Sequence, residues 1–474
     1  MNDLPGQLDP PDPSGQAATI ASSSLSAVDV AAMDTEHRAL RKKRLKQSLF
    51  SSVVTRPISF LLPLITVPLF LKYLGGKERY GLYESIGALA MYIGLSNAGL
   101  TLGLVNHLTE CHVSGDREQA RRYTSSLTPA LIVTMLIGLI GLSIITPLIP
   151  WTSIFKVESV VAAREIPWSF WLAGFLTLVG FVSGIPSAVY TGYQETHLNN
   201  LWDGVAKLAS LIACFAIIRF PSLGIVGVIL AITGVQAIVR LINLFDIFIR
   251  EKPFLRPKLS LFDWTLLKKM LSDGVLLFAL QMSAVLLFQS DKLVISIGIS
   301  PEAVAPYAIL GRVFLAGYGV YMMLLNPLWP ASGEAVRRCD VAWVRKSLRL
   351  SMIFGMGIML CIGVMVFFFT APVLRRFPEA QGMIVSRSLI LAVTCTFILR
   401  AWVDCRSIVL NSVAVLKPQI FFYTGHAILN IVLAIILVKP FGVEGVAWST
   451  PITALVSSAW GYPWMIKRYI FLKA

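Results

Sequence analysis

Long apolar stretches separated by short polar segments recur along most of the chain. A helix needs about 20 apolar residues to cross the roughly 30 Å hydrocarbon core of a bilayer. This pattern predicts an all-α integral membrane protein with about 12 transmembrane helices. The predicted spans lie near residues 48–71, 80–105, 124–147, 167–190, 198–219, 223–249, 270–298, 303–328, 346–371, 383–408, 417–438 and 443–466.

The pattern also divides the chain into four regions. Residues 1–37 are rich in Pro, Asp, Ser, Ala and Gly and hold too few apolar residues to fold alone, which predicts a disordered cytoplasmic tail. Residues 38–249 carry the first six spans and begin with the basic cluster RALRKKRLK. A cytoplasmic linker is predicted at 250–269, and residues 270–474 carry the last six spans.

Composition agrees with a membrane location. Only 14% of the 474 residues are charged and 56% are hydrophobic, whereas a soluble chain carries roughly 25% charged residues. The net charge of +15 does not indicate nucleic acid as a partner, because the basic residues fall mostly in short loops, as in a positive-inside bias. That bias predicts that both termini of this multi-pass protein are cytoplasmic.

An internal repeat relates the two halves of the chain. The segment LGIVGV at 223–228 returns as FGVEGV at 441–446, between the last two spans of each half. Six spans per half return the chain to the same side of the membrane, so the halves would be parallel repeats. Two six-helix lobes with a cleft between them follow from this interpretation, and such a cleft suits alternating access.

Several signatures of enzymes are missing. The sequence has no GxxxxGK[ST], HExxH or DxD motif, and its six cysteines form no cluster. No predicted loop exceeds roughly 20 residues, which leaves no room for a soluble catalytic domain. We therefore expect a transporter rather than an enzyme, with no cofactor and no metal site.

Basic side chains within the spans are the substrate-cavity candidates, because each costs about 2.5 kcal/mol or more near the membrane centre. Arg240 and Arg312 have no acidic neighbour on their own helix face, so each should face another helix or water. Two others have an acidic neighbour four residues away, which could neutralise them locally. Arg56 could instead extend to the membrane interface. The candidates are Arg56, Lys207, Arg240, Arg312, Arg400 and Arg406.

A second group comprises candidates for ion coupling or for structural ion pairs: Asp203, Asp291, Lys292, Asp404 and His426. Asp291 and Lys292 point to different sides of their helix, and we favour a structural role for them at the outer end of the seventh span. A lone histidine in a helix bundle is more often simply hydrogen-bonded than titrating. Glu84 is interpreted as an interfacial residue. The hinge candidates are the prolines of the first span, which free backbone carbonyls: Pro57, Pro63 and Pro68.

Two segments resemble a known family. The stretch TVPLFLKYLGGKERYGLYESIGALAMYIGLSNAGL at 66–100 is similar to the first two spans of Wzx-type polysaccharide flippases. These belong to the MOP exporter superfamily, together with MATE drug exporters and lipid II flippases. The seventh and eighth spans carry further features of that family. In this sequence they are Asp291, Lys292, Tyr307, Pro330 and Glu334.

The resemblance implies a V-shaped cavity between two six-helix lobes of a MATE-like fold. It also implies movement of an oligosaccharide linked to undecaprenyl pyrophosphate, for polysaccharide biosynthesis. The movement would run from the cytoplasmic to the outer leaflet of the bacterial inner membrane. Expected partners are the bilayer, a polysaccharide polymerase, a chain-length regulator, and H+ or Na+ as coupling ion.

Alternative functions remain open at this point. An ion-coupled, MATE-like multidrug exporter would favour carboxylates in its cavity, whereas the intramembrane excess here is basic. A membrane glycan polymerase or ligase typically carries one long external loop, but the longest external loop predicted here, at 148–166, is short. A scaffolding membrane protein is a further alternative, although many intramembrane charges would be unusual for it.

Overall fold

The computed structural model describes residues 62, 65–95, 98–374 and 385–472, and within these ranges the chain is helical with no β-strand. The helices are α1 (Ile65–Leu74), α2 (Lys77–Gly94), α3 (Ala98–Ser114), α4 (Arg117–Leu148), α5 (Trp151–Phe155), α6 (Val160–Ser183), α7 (Ile185–Gly192), α8 (Thr196–Ala216), α9 (Gly224–Ile229), α10 (Val235–Asp246), α11 (Trp264–Gly298), α12 (Val304–Leu325), α13 (Leu328–Arg337), α14 (Val341–Leu374), α15 (Arg387–Ser412), α16 (Lys417–Val456) and α17 (Ser458–Ile466). Five-residue π-helical segments join α9 to α10 and extend α10 and α17.

The helices confirm an all-α integral membrane fold. Among the described residues, nine helical stretches are long and apolar enough to cross a bilayer, or ten if the bent pair α2 and α3 counts as one span. The ninth stretch, Lys417–Phe471, is 55 residues long and contains both of the last two predicted spans. The count of twelve stays a prediction, because most of the first predicted span lies outside the described residues.

The outer faces of the helices are apolar, as lipid contact requires. On α4, Ile137, Ile140 and Ile144 are 66%, 61% and 58% exposed. Contiguous exposed apolar surface of this kind is rare on soluble monomers. In a bilayer it carries no penalty, because lipid tails are as apolar as these side chains.

The two repeat segments have the same backbone geometry. Gly224 has φ 49° and ψ −134°, and Gly442 has φ 58° and ψ −140°, a conformation that side chains with a Cβ rarely adopt. At Gly224 a Cβ would also lie 2.2 Å from the side chains of Arg79 and Glu165. The matched angles at matched sequence positions support the internal repeat. Gly442 breaks α16 between the two last predicted spans.

The two halves pack along α3 and α11, where a Cβ on Gly103 would lie 2.1 Å from the carbonyl oxygen of Met270. Helix α11 begins at Trp264, within the predicted linker 250–269. Asp263 caps that helix by accepting hydrogen bonds from the N–H groups of Thr265 and Leu266. The predicted domain boundaries stay predictions.

Two sides of the bundle can be distinguished from the helix ends. On one side the turn before α12 packs against α2, so closely that a Cβ on Gly81 would lie 1.7 Å from the carbonyl oxygen of Pro301. On the same side, Lys156 Nζ donates to the carbonyl oxygen of Gly298 at 2.9 Å. We call this the Pro301 side. The opposite side, where α12 ends and the linker 252–263 lies, is the linker side.

Candidate functional site

A cavity of about 750 Å³ lies between the two halves, and we call it the central cavity. It is lined by Leu62 and by α1, α2, α8, α10, α11, α12 and α15, together with the segment that joins α9 and α10. It extends from Glu84, near the Pro301 side, to Asn326 at the end of α12 on the linker side. Among the described residues, four basic side chains and one acidic side chain line it: Lys207, Lys292, Arg312, Arg400 and Glu84.

Glu84 is the centre of a charged cluster that joins the two halves. Its carboxylate is 4% exposed and accepts hydrogen bonds from Lys292 Nζ at 2.9 Å, from the Arg312 guanidinium and from the Tyr80 hydroxyl at 3.2 Å. Tyr80 and Glu84 belong to α2, Lys292 to α11 and Arg312 to α12. We refer to these four residues as the Glu84 cluster. A buried carboxylate is costly unless it is paired and hydrogen-bonded, and here two cations from the other half provide the pairing.

The cluster leaves positive charge uncompensated, because two cations face one carboxylate. The guanidinium of Arg312 also lies 6.0 Å from the ring centroids of Tyr80 and Tyr83, within reach of a cation–π interaction. Arg312 thus packs against another helix, α2. Sequence reasoning missed Glu84, which it placed at the interface. The available signal was the pair of hydrogen-bonding residues Tyr80 and Glu84, four apart on one face of an apolar helix.

Arg400 lies in the central cavity beside a second carboxylate. Its Nε is 3.5 Å from an oxygen of Asp404, which also accepts a hydrogen bond from the Tyr318 hydroxyl. The guanidinium stacks on the rings of Phe288 and Tyr318 at 4.0 and 4.2 Å from their centroids. The i,i+4 pairing of Arg400 with Asp404 is therefore present, and the same arginine still lines the cavity.

Asp291 and Lys292 are adjacent in sequence and have separate surroundings. Asp291 is 1% exposed and accepts hydrogen bonds from the Tyr307 hydroxyl at 2.7 Å, from the Asn430 amide at 2.9 Å and from the Thr450 hydroxyl at 3.0 Å. Among the described residues it forms no ion pair. Lys292 turns instead to Glu84 and the central cavity. The two side chains thus have different environments.

His426 is buried near the same helices and is hydrogen-bonded through both ring nitrogens. Nε2 lies 3.2 Å from the carbonyl oxygen of Thr450, and Nδ1 lies 3.0 Å from the Ser458 hydroxyl. In the part of the chain that the structure describes, no three His, Cys, Asp or Glu side chains are arranged to hold a metal ion.

Asp203 lies near a cation on another helix. Its carboxylate is 3.8 Å from Arg240 on α10. Lys207, one turn further along α8, lines the central cavity, whereas Asp203 and Arg240 line a second cavity in the first half. Local pairing of Asp203 with Lys207 stays a prediction. Arg240 thus lies against α8 and is not among the residues that line the central cavity.

The remaining candidates lie elsewhere. Arg406 donates to the carbonyl oxygen of Trp402 at 2.5 Å and stacks 3.7 Å from the centroid of its ring, and it is not among the residues that line the central cavity. Pro68 lies in the first turns of α1. Arg56, Pro57 and Pro63 fall outside the described residues.

Comparison with known proteins agrees with this geometry. A sequence profile of a family described as polysaccharide biosynthesis protein matches residues 45–336, which is more than half of the chain. The chain belongs to this family. One relative is the putative O-antigen export protein of Yersinia pseudotuberculosis. It is 21% identical over 421 residues, which cover 88% of this chain and 94% of the relative.

Solved structures show the same fold. An inward-facing multidrug resistance MATE family transporter of the MOP superfamily has a TM-score of 0.76 at 15% identity, covering 90% of this chain and 99% of that one. The lipid II flippase MurJ in an inward closed conformation has a TM-score of 0.67 at 16% identity, covering 90% and 88%. At these identities the likeness concerns the fold alone. The family assignment and the fold confirm the resemblance stated from the sequence.

Proposed function

We propose that this protein is a flippase for an oligosaccharide linked to undecaprenyl pyrophosphate. It moves the unit from the cytoplasmic to the outer leaflet of the bacterial inner membrane by alternating access. The observation that carries the proposal is the excess of basic side chains in the central cavity between the halves. The name of the Yersinia relative, an O-antigen export protein, and the fold shared with a lipid II flippase support it.

The central cavity can replace the solvation that the polar part of the substrate loses. A diphosphate and its sugars cannot enter hydrocarbon without losing many hydrogen bonds to water. Lys207, Lys292, Arg312 and Arg400 supply cationic donors, and the planar guanidinium of arginine binds two phosphate oxygens at once. The lipid tail remains in the bilayer while the polar group occupies the cavity.

Binding of the substrate at the Glu84 cluster can change the conformation of the protein. Glu84 and a diphosphate compete for the same two cations, Lys292 and Arg312. When the diphosphate takes them, Glu84 loses the partners that join α2 to α11 and α12, and the contact between the halves on the Pro301 side weakens. With the linker side in the cytoplasm, as the loop charges predict, this step opens the cavity toward the outer leaflet.

The coupling ion acts at Asp291 in this proposal. Among the described residues this buried carboxylate accepts hydrogen bonds from neutral donors and forms no ion pair, so H+ or Na+ can bind there and remove the cost of its unpaired charge. The unit that is released outside then passes to a polysaccharide polymerase and a chain-length regulator.

A drug exporter is not proposed, because the cations in the central cavity would repel cationic drugs.

Deletion of the gene in its native host tests the function. We expect complete lipid-linked repeat units to accumulate on the cytoplasmic leaflet, and polymer to be lost outside. Complementation with the wild-type gene or with Arg338→Gln, a substitution at a 75% exposed arginine, should restore export, whereas Lys292→Gln/Arg312→Gln should not. Units that reach the outer leaflet but stay unpolymerised would indicate a polymerase. Unchanged glycan with increased drug sensitivity would indicate an exporter.

A further inference from the structure

A second cavity of about 430 Å³ lies within the first half, between α3, α7, α8 and α10. Its lining contains a carboxylate, a guanidinium, two amides, an indole and four Ser or Thr side chains. The five larger polar residues are Asn199, Trp202, Asp203, Arg240 and Asn243. We call this cavity the side pocket. The mechanism outlined above does not use it.

The side pocket lies one helical turn from the central cavity. On α8, Asp203 lines the side pocket and Lys207, four residues later, lines the central cavity. On α10, Arg240 lines the side pocket and Gln236 lines the central cavity. Residues four apart share a helix face and are separated by about 6 Å along the axis. A group that is covalently next to a diphosphate in the central cavity can therefore reach the side pocket, toward the linker side.

The two cavities differ in the charge of their lining residues. Among the residues that the structure describes, the central cavity has an excess of cations, whereas the side pocket has one cation and one anion, which compensate each other. The pair is loose: Asp203 and Arg240 are 3.8 Å apart, and their side chains are 41% and 48% exposed. Such a pair offers little to a diphosphate, but it leaves donor and acceptor atoms available to a neutral, hydroxyl-rich ligand.

The hydrogen-bonding groups of the side pocket fit that kind of ligand. Each sugar hydroxyl both donates and accepts, so a site for sugars needs both kinds of group. A carboxylate only accepts, a guanidinium only donates, and the amides of Asn199 and Asn243 do both. The Tyr190 hydroxyl donates to Asn243 Oδ1 at 2.9 Å and thereby orients that buried amide. Trp202 adds an aromatic surface for the apolar face of a sugar ring.

We propose that the side pocket is a glycan subsite that binds the sugars of the substrate while the diphosphate occupies the central cavity. This inference rests on the proposed function and assigns the two parts of the substrate to two cavities. It makes Asp203 and Arg240 specificity residues for the glycan rather than contacts for phosphate.

Binding measurements on the purified full-length protein in lipid nanodiscs test the subsite. The two probes are undecaprenyl pyrophosphate without sugars and the complete lipid-linked repeat unit extracted from the host. The wild type should bind the complete unit about tenfold more tightly, because hydrogen bonds to the sugars add to the diphosphate contacts. Asp203→Asn/Arg240→Gln should abolish this preference and leave the affinity for undecaprenyl pyrophosphate unchanged. Lys292→Gln should weaken binding of both probes equally.

The matched control is Asp246→Asn/Arg250→Gln. It alters another Asp–Arg pair at 3.8 Å, in which Arg250 is 83% exposed, and it should leave the preference intact. The subsite is refuted if the wild type binds both probes equally, or if Asp203→Asn/Arg240→Gln weakens both equally or neither; the proposed function survives each of these results. Failure of the wild type to bind either probe would instead contradict the proposed function.

Discussion

The Glu84 cluster and the Asp203–Arg240 pair are built from similar groups in different environments. Each joins a carboxylate on one helix to an arginine on another. Glu84 is 4% exposed and is held by two cations from the other half of the chain. Asp203 and Arg240 belong to the same half, lie 3.8 Å apart and are nearly half exposed.

Burial decides what each arrangement can do. Removing one partner from a buried ion pair leaves an uncompensated charge, which costs about 3–5 kcal/mol. An exposed pair contributes about 0–1 kcal/mol. The Glu84 cluster is therefore suited to hold a conformation, and the Asp203–Arg240 pair is suited to exchange its contacts for those of a ligand.

We expect Glu84→Gln to change the free energy of unfolding more than the other substitutions do. The variant leaves Lys292 and Arg312 without their shared anion and should lower the free energy of unfolding by about 3–5 kcal/mol. Thermal unfolding in detergent measures this loss. Glu302→Gln, which removes an exposed carboxylate on the Pro301 side, is the matched control. If both variants unfold at the same temperature, Glu84 does not hold the halves together.

A double-mutant cycle tests whether Glu84 and Arg312 interact. Arg312→Gln should also destabilise the protein, but less than Glu84→Gln does, because Lys292 still pairs with the carboxylate. Combining the two substitutions should cost less than the sum of the single effects, with a coupling of about 0.5–3 kcal/mol. Simple additivity in thermal or denaturant unfolding would mean that Glu84 and Arg312 do not interact.

We expect Asp203→Asn to change the free energy of unfolding least. Its partner Arg240 remains solvated when the carboxylate is neutralised, so the free energy of unfolding should change by no more than about 1 kcal/mol. The same thermal assay measures this change. A loss as large as that of Glu84→Gln would show that the pair is structural, and the contrast between the two regions would fail.

Local patterns predict the spans, whereas contacts between distant helices are not visible in them. Apolar length and charged loops placed the helices from α4 to α15 close to their observed positions, because both signals act within one helix. The cationic partners of Glu84 lie 208 and 228 residues away, so no spacing rule connects them. The sequence predicts that Arg240 faces another helix or water, but it does not identify the carboxylate on α8, because that contact depends on the packing of the first half.

Translocation in reconstituted liposomes tests the central claim most directly. Purified protein is incorporated with the lipid-linked repeat unit, and the fraction of units that an external glycosidase can reach is followed over time. Wild-type protein should carry units across faster than protein-free liposomes do. Lys292→Gln/Arg312→Gln should slow this at least about tenfold, because each charge-assisted contact contributes about 1.5–3 kcal/mol, and Arg338→Gln should not. Equal rates for wild-type and protein-free liposomes, or for wild type and the double variant, would contradict the account.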